Sequence, residues 1–261
     1  MPRPYILAEQ TWATVKETEY KVAVLPWGAT EAHNYHLPYG TDVYESDYIA
    51  AESARIAWEQ GAKVVVLPTV PFGVNTGQLD IKLDLNMYPS TQLAVLHDIA
   101  ESVARAGVEK LVILNGHGGN DFKQMIREVQ ADHEELFICT TNWYQILDTS
   151  RYFDEPGDHA GEMETSIVMH VHPDLVSPLS EAGPGTARVF SVSALREGWV
   201  WAERKWTKVT DDTGIGNPSR STAAKGERFL ADLTEKIAGF LVELSDCPLE
   251  SLYAGRMTQD E

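Results

Sequence analysis

Two short apolar runs, Lys63–Leu67 (KVVVL) and Lys110–Leu114 (KLVIL), constrain this chain most. Neither alternates polar with apolar residues, so each reads as a strand buried on both faces. Strands of that kind need helices above and below them, and the intervening sequence supplies helical patterns. Asp42–Glu59 places Tyr48, Ile49, Ile56 and Ala57 at helical spacing, with Gly61 as a C-terminal cap. Thr91–Ala106 predicts a second helix, capped by Ser90 or Thr91 and followed by Gly107. Asp121–His133, Glu162–His170 and Arg220–Leu244 predict three more. Further strands are expected at Tyr20–Leu25, running into Pro26, and at Leu136–Thr140. The alternation predicts an α/β fold with a mostly parallel sheet, whose sites lie at the carboxyl ends of its strands.

With 261 residues, 43% of them apolar, the chain can build one large core, and a single domain over 1–261 is expected. The formal net charge of -18 argues against a nucleic-acid partner and against an anionic membrane surface. No apolar stretch approaches the roughly 20 residues of a transmembrane helix. Met1–Tyr5 does not open a signal-peptide core, so a cytoplasmic protein is expected. Cys139 and Cys247 do not make a disulfide framework.

Three clusters carry the chemistry. The first runs Glu31-Ala32-His33-Asn34-Tyr35-His36 and ends at Gly40-Thr41-Asp42. In an extended segment, Glu31 and His33 point to one side. Asp42 follows a rigid Leu37-Pro38 and Gly40 turn, and its two oxygens suit a bridge between ions about 3.5–4 Å apart. His36 is a further candidate. The second cluster, Asn115-Gly116-His117-Gly118-Gly119-Asn120, sets one histidine among three glycines. A ligand histidine competes there with an anion-cradling turn, but the lysine and hydroxyl of a phosphate loop are missing. The third is Asp158-His159-Ala160-Gly161-Glu162-Met163-Glu164-Thr165. A carboxylate in a first helical turn also suits the helix dipole, and Asp158 or His159 could cap that helix. Buried charges must be paired or ligate a metal, and this His/carboxylate mixture suits zinc, manganese or iron. Three such clusters predict a metal site with two ions. Trp199, Trp201 and Trp206 lie in Gly183–Asn217, which reads as an insertion, lid or interface.

These stretches, together with Leu25-Pro26-Trp27-Gly28-Ala29-Thr30 before the first and His36-Leu37-Pro38 within it, resemble the creatininase (creatinine amidohydrolase) family. The resemblance covers roughly residues 20 to 176. It implies a three-layer α/β/α sandwich with a central sheet, two divalent ions per chain and a homohexamer. It implies Glu31, His33, Asp42 and His117 as metal ligands, with Asp42 as the bridge. Creatininase itself has a ligand glutamate where this chain has Gly119, and Glu162 is the expected replacement. His159 resembles the family's proton-transferring histidine, and Glu164 is expected to hold or polarise the site. The implied activity is hydrolysis of a non-peptide C–N bond in a small molecule, a cyclic amide or formamide. Other branches of the family include a formamidopyrimidine deformylase and a peptidase acting on a cofactor-precursor peptide. A metal- or ligand-binding protein without turnover is the alternative outside enzymes. Trp143 is either a stacking surface for a planar substrate or core.

Overall fold

The computed structural model of the chain describes residues 2–253. Four strands, β1 (Val22–Trp27), β2 (Val64–Val66), β3 (Lys110–Asn115) and β4 (Phe137–Asn142), form one sheet in the order β2-β1-β3-β4. Every pairing in it is parallel, with Val22 opposite both Val64 and Lys110, and Leu111 opposite Ile138. The strands are linked by α1 (Thr41–Glu59), α2 (Pro89–Arg105) and α3 (Lys123–Asp132). A short strand β5 (Gly157–His159) and helix α4 (Glu162–Val171) follow, then β6 (Ile215–Gly216) and the long helix α5 (Ala223–Asp246). β5 and β6 pair antiparallel, apart from the main sheet.

The side-chain alternation of each strand divides the core into two layers. Val22, Val24, Val64, Val66, Val112 and Leu114 pack with α1, α4 and α5. Ala23, Leu25, Val65, Leu111, Ile113 and Ile138 pack with α2 and α3. The expected α/β/α sandwich is therefore present, and both faces of the sheet are covered. Burial of each valine, leucine and isoleucine among them contributes about 1.5–3 kcal/mol. That is why β1, β2 and β3 carry no polar face.

Several boundaries move for local reasons. β1 does not stop at Leu25 but continues through Pro26 to Trp27. Proline lacks a donor and is normally kept out of a central strand. Here the even-numbered residues of β1 direct their polar groups toward β2, as Val24 and Pro26 accept from Leu67 and Val70. β2 has already ended at Val66, so Pro26 sits where no ladder donor is required. Helix α2 begins at Pro89 rather than Thr91, because proline at the first helical position gives up only an N–H that would lack a partner. Helix α3 begins at Lys123. Among the described residues no helix is long and apolar enough to cross a membrane.

Candidate metal centre

The carboxyl ends of β1 and β3 open at one edge of the sheet, and three loops converge there. The loop after β1 carries Glu31 and His33, and the first turn of α1 brings Asp42 back over it. The turn after β3 carries His117. His159 ends β5, and Glu164 lies in the first turn of α4. Two of the joints are non-glycine residues in the left-handed region, Asn34 (φ 55°) and Ala160 (φ 52°). Such strain persists only where the surroundings enforce it. The Asn34 side chain grips both the N–H and the carbonyl of Gly183, and the N–H of Ala160 donates to the Glu164 carboxylate.

The clustered atoms are close. His117 Nδ1 lies 2.9 Å from Glu31 Oε1 and 3.0 Å from Asp42 Oδ2. His33 Nε2 lies 2.8 Å from the other Asp42 oxygen, Oδ1. His159 Nδ1 is 3.7 Å from Glu31 Oε1. Three triads, Glu31–Asp42–His117, His33–Asp42–Glu164 and Glu31–His33–His159, each bring their ligand atoms within 4.8 Å of one another. Glu31, His33 and Asp42 are at most 2% exposed.

Each histidine uses one nitrogen on a main-chain carbonyl. His33 Nδ1 meets Glu31 O at 3.1 Å, His117 Nε2 meets Val74 O at 3.0 Å, and His159 Nε2 meets Ala32 O at 2.8 Å. A carbonyl only accepts, so these nitrogens carry the proton and the opposite nitrogens face the carboxylates. In a neutral ring those opposite nitrogens are lone pairs aimed at anionic oxygens, an arrangement that demands a positive charge between them. His33 Nε2 and Asp42 Oδ2 are indeed buried without a hydrogen-bond partner, although charged groups stand beside them. Backbone-fixed tautomers of this kind are what metal-ligating histidines use. The donor set therefore fits divalent cations.

The electrostatics agree. Burial lowers the affinity of His33 for a proton, but Asp42 outweighs it and lifts the ring to about 10. Against its own burial, His117 is held well above the ordinary imidazole range by Glu31 and Asp42. Glu31 is held low by His117 and His159 despite its burial. Burial, with Glu164 and Asp42 nearby, pushes Glu45 far up, and neither of its oxygens has a partner.

Not every expected residue reaches the centre. Glu162 turns away: its carboxylate accepts the N–H groups of Asp154 (2.8 Å) and Glu155 (2.7 Å) and pairs with Lys225. On a helix, residues i and i+2 do not share a face. Glu162 and Glu164 therefore cannot both look inward, and the inward one is Glu164. His36 bonds Thr165 Oγ1 at 2.8 Å, and burial pushes its ring down to about 4. Asp158 pairs with Arg204 instead of capping α4, whose N-cap is Gly161. Trp143 is 1% exposed and belongs to the core beside Phe229. Gly119 has no room for a side chain, since a Cβ there would lie 2.2 Å from Val74 O and 2.5 Å from His117 Nε2.

The sequence reading missed Glu45 and Gln78. Glu45 stands one helical turn beyond Asp42, a spacing that places both on one face. Gln78 donates to Glu31 Oε2 from a distant loop, and no local signal marks it. A cavity of about 1160 Å³ lies over the centre, walled by Tyr144, Met163, Trp201, Arg204 and Trp206.

Relatives share this arrangement of chain. Residues 8–241 match the family described as creatininase, creatinine amidohydrolase. A mycofactocin precursor peptide peptidase of Mycobacterium tuberculosis is 26% identical over 226 residues, 81% of each chain. A creatinine amidohydrolase of Pseudomonas putida is 26% identical over 67% of this chain and 75% of its own. A crystal structure of a candidate creatinine amidohydrolase from Bacteroides fragilis superposes with TM-score 0.90 at 43% identity, covering 95% of this chain and 99% of that one. Creatininases solved in a manganese form (TM-score 0.75, 21% identity, 94% of this chain and 100% of that one) and a Zn-Zn form (0.74, 20%, 94% and 99%) share the fold. The matched span reaches from before β1 into α5 and encloses every residue of the cluster, so the chain belongs to the creatininase family.

Proposed function

We propose that this chain is a metal-dependent amidohydrolase that binds two divalent cations, zinc or manganese with iron as a further fit. Glu31, Asp42 and His117 would hold one cation, and His33, Asp42 and Glu164 the other. The observation that carries this reading is the Asp42 carboxylate, whose Oδ1 faces His33 while its Oδ2 faces His117. One carboxylate turned toward two metal-suited rings is the geometry of a bridging ligand. Glu164 takes the ligand place that Glu162 was expected to fill. Cations bound there supply an ionised water at neutral pH and polarise a carbonyl oxygen.

The remaining steps fall to the chain itself. His159 keeps Nε2–H on the Ala32 carbonyl, so Nδ1 is the nitrogen presented to the centre. From there it takes up the proton that the attacking water gives up and passes it to the departing nitrogen of the substrate. The carbonyl contacts of His33 and His117 keep both rings from turning when a ligand arrives. The reaction class is hydrolysis of a C–N bond, with a cyclic amide or formamide as the substrate. A peptide substrate is the second reading. It is favoured by the cavity of about 1160 Å³, larger than a small ring requires, and by the peptidase among the relatives.

Elemental analysis of the purified chain beside Asp42→Ala tests the centre. The expected result is about two ions per chain, with loss of at least one in the variant. Full metal content in Asp42→Ala would refute the bridge. A screen of cyclic amides, formamides and short peptides then separates the substrate classes.

A further inference from the structure

His159 is held from three sides, and one of them lies in a segment to which neither the family's motifs nor the proposed ligand set assigns a role. Ala32 O fixes Nε2, and the His33 ring stacks at 4.1 Å between centroids. The third contact is Trp206, whose ring stands edge-on to His159 at 5.4 Å and 87°. Trp206 is 7% exposed, and its Nε1 donates to Thr213 O at 3.0 Å, so the indole has one orientation. Arg204, two residues earlier, lies over that indole at 4.8 Å and pairs with Asp158 at 2.7 Å. Asp158 immediately precedes His159. Two consecutive residues of β5 are thus each gripped by the strap 203–207.

The strap is anchored on its far side to the loop 76–80. Thr76 bonds the Glu203 carboxylate, and Thr207 Oγ1 donates to Asp80 Oδ2 at 2.8 Å. Lys205 pairs with the same Asp80 at 3.1 Å. Gly77 lets the chains touch, because a Cβ there would lie 2.2 Å from Arg204 O. The neighbouring Gln78 donates to Glu31. One loop therefore supports both a carboxylate of the centre and the strap that braces the histidine.

We propose that Trp206 is a positioning residue for His159, and that the Arg204–Asp158 pair fixes the strap carrying it. The inference rests on the reading of His159 as the proton donor. An imidazole held only by Ala32 O and the stacked His33 ring can still pivot about that bond within its own plane. The edge-on indole removes this freedom and leaves Nδ1 aimed at the centre.

The test uses the full zinc-loaded chain and two readouts. Hydrogen–deuterium exchange at the histidine Cε1, followed by mass spectrometry, reports on the His159 ring without any substrate. Trp206→Ala should speed His159 exchange several-fold, and Trp206→Phe, which keeps an aromatic edge, should not. Against the best substrate from the screen, Trp206→Ala should lower kcat by about 10- to 100-fold, more than it changes KM, with zinc content unchanged. Trp206→Phe should recover most of that loss. In a His159→Ala background, Trp206→Ala should cost nothing further. An equal loss in both backgrounds, or unchanged His159 exchange, overturns the inference. If His159→Ala lowers kcat and Trp206→Ala does not, the positioning role alone fails. If His159→Ala keeps full kcat, the proton-donor reading fails and this inference falls with it.

Discussion

Gly119 stands where the family resemblance implies a ligand glutamate, so placing a side chain there is a sharp perturbation. A Cβ at this position lies 2.2 Å from the Val74 carbonyl oxygen and 2.5 Å from His117 Nε2. Ordinary contacts are longer than 3.4 Å, so the loop carrying Val74 must retreat by about 1 Å. That retreat stretches the 3.0 Å contact that fixes the His117 ring. Overpacking costs about 1–3 kcal/mol and the lost hydrogen bond about 1 kcal/mol. A total near 2–4 kcal/mol lowers Tm by about 4–16 °C in a chain of this size. Loosening a ligand's outer partner also weakens metal binding by about 10- to 100-fold. Because the clash arises at Cβ, Gly119→Ala and Gly119→Glu should behave alike, and the glutamate should rebuild nothing. Thermal unfolding without metal and calorimetric zinc titration measure both effects. Tighter zinc binding in Gly119→Glu would refute the reasoning, since the carboxylate would then have reached the centre.

Two other outcomes follow from the geometry. Glu162→Gln places an amide among three donors, Asp154 N, Glu155 N and Lys225 Nζ. It should cost about 3 kcal/mol of stability by chemical denaturation while leaving metal content unchanged, and loss of one ion would make Glu162 a ligand after all. The metal-free chain should lose stability as pH rises from about 6.5 to about 10. His33 binds its proton more tightly folded than unfolded, so its contribution is complete below the unfolded value of 6.5 and disappears as pH passes its folded value of about 10. His117, also raised, acts in the same direction. With zinc present the trend should reverse over the lower part of that range, because metal competes with protons for the same nitrogens. A flat metal-free Tm between pH 6.5 and 10 would contradict the protonated cluster.

How much of this was legible in the sequence depended on the range of the forces involved. β2 and β3 were readable because a strand buried on both faces has no polar alternation to hide it. β5 and β6 were not, because strands of three and two residues exist only through their pairing with each other across the 183–217 segment. Glu31, His33, Asp42, His117 and His159 were picked out by local grouping, and the structure brings all five together. Gln78 and Trp206 were invisible as site residues. Each reaches the centre from a loop whose path is set by distant contacts, Gln78 through Glu31 and Trp206 through Thr213 and His159.

The outward turn of Glu162 beside the inward Glu164 shows why an acid near a motif need not reach the cluster. Both are acidic, both lie in the first turn of α4, and either satisfies the helix dipole. What separates them is the rotation of about 200° between residues two apart on a helix. Glu164 faces His33 and Asp42, whereas Glu162 faces Lys225 on α5. Gly119 has no room for a carboxylate, and the first turns of both α1 and α4 abut the cluster, bringing Asp42 and Glu164 to it. The other acid of α4 is then free to bind α5, accepting two N–H groups from the loop that leads into β5. The same short helix thus turns one carboxylate into the cluster and the other onto the loop that leads into β5. A change at either position should be felt through different observables: metal content at Glu164, and stability without loss of metal at Glu162.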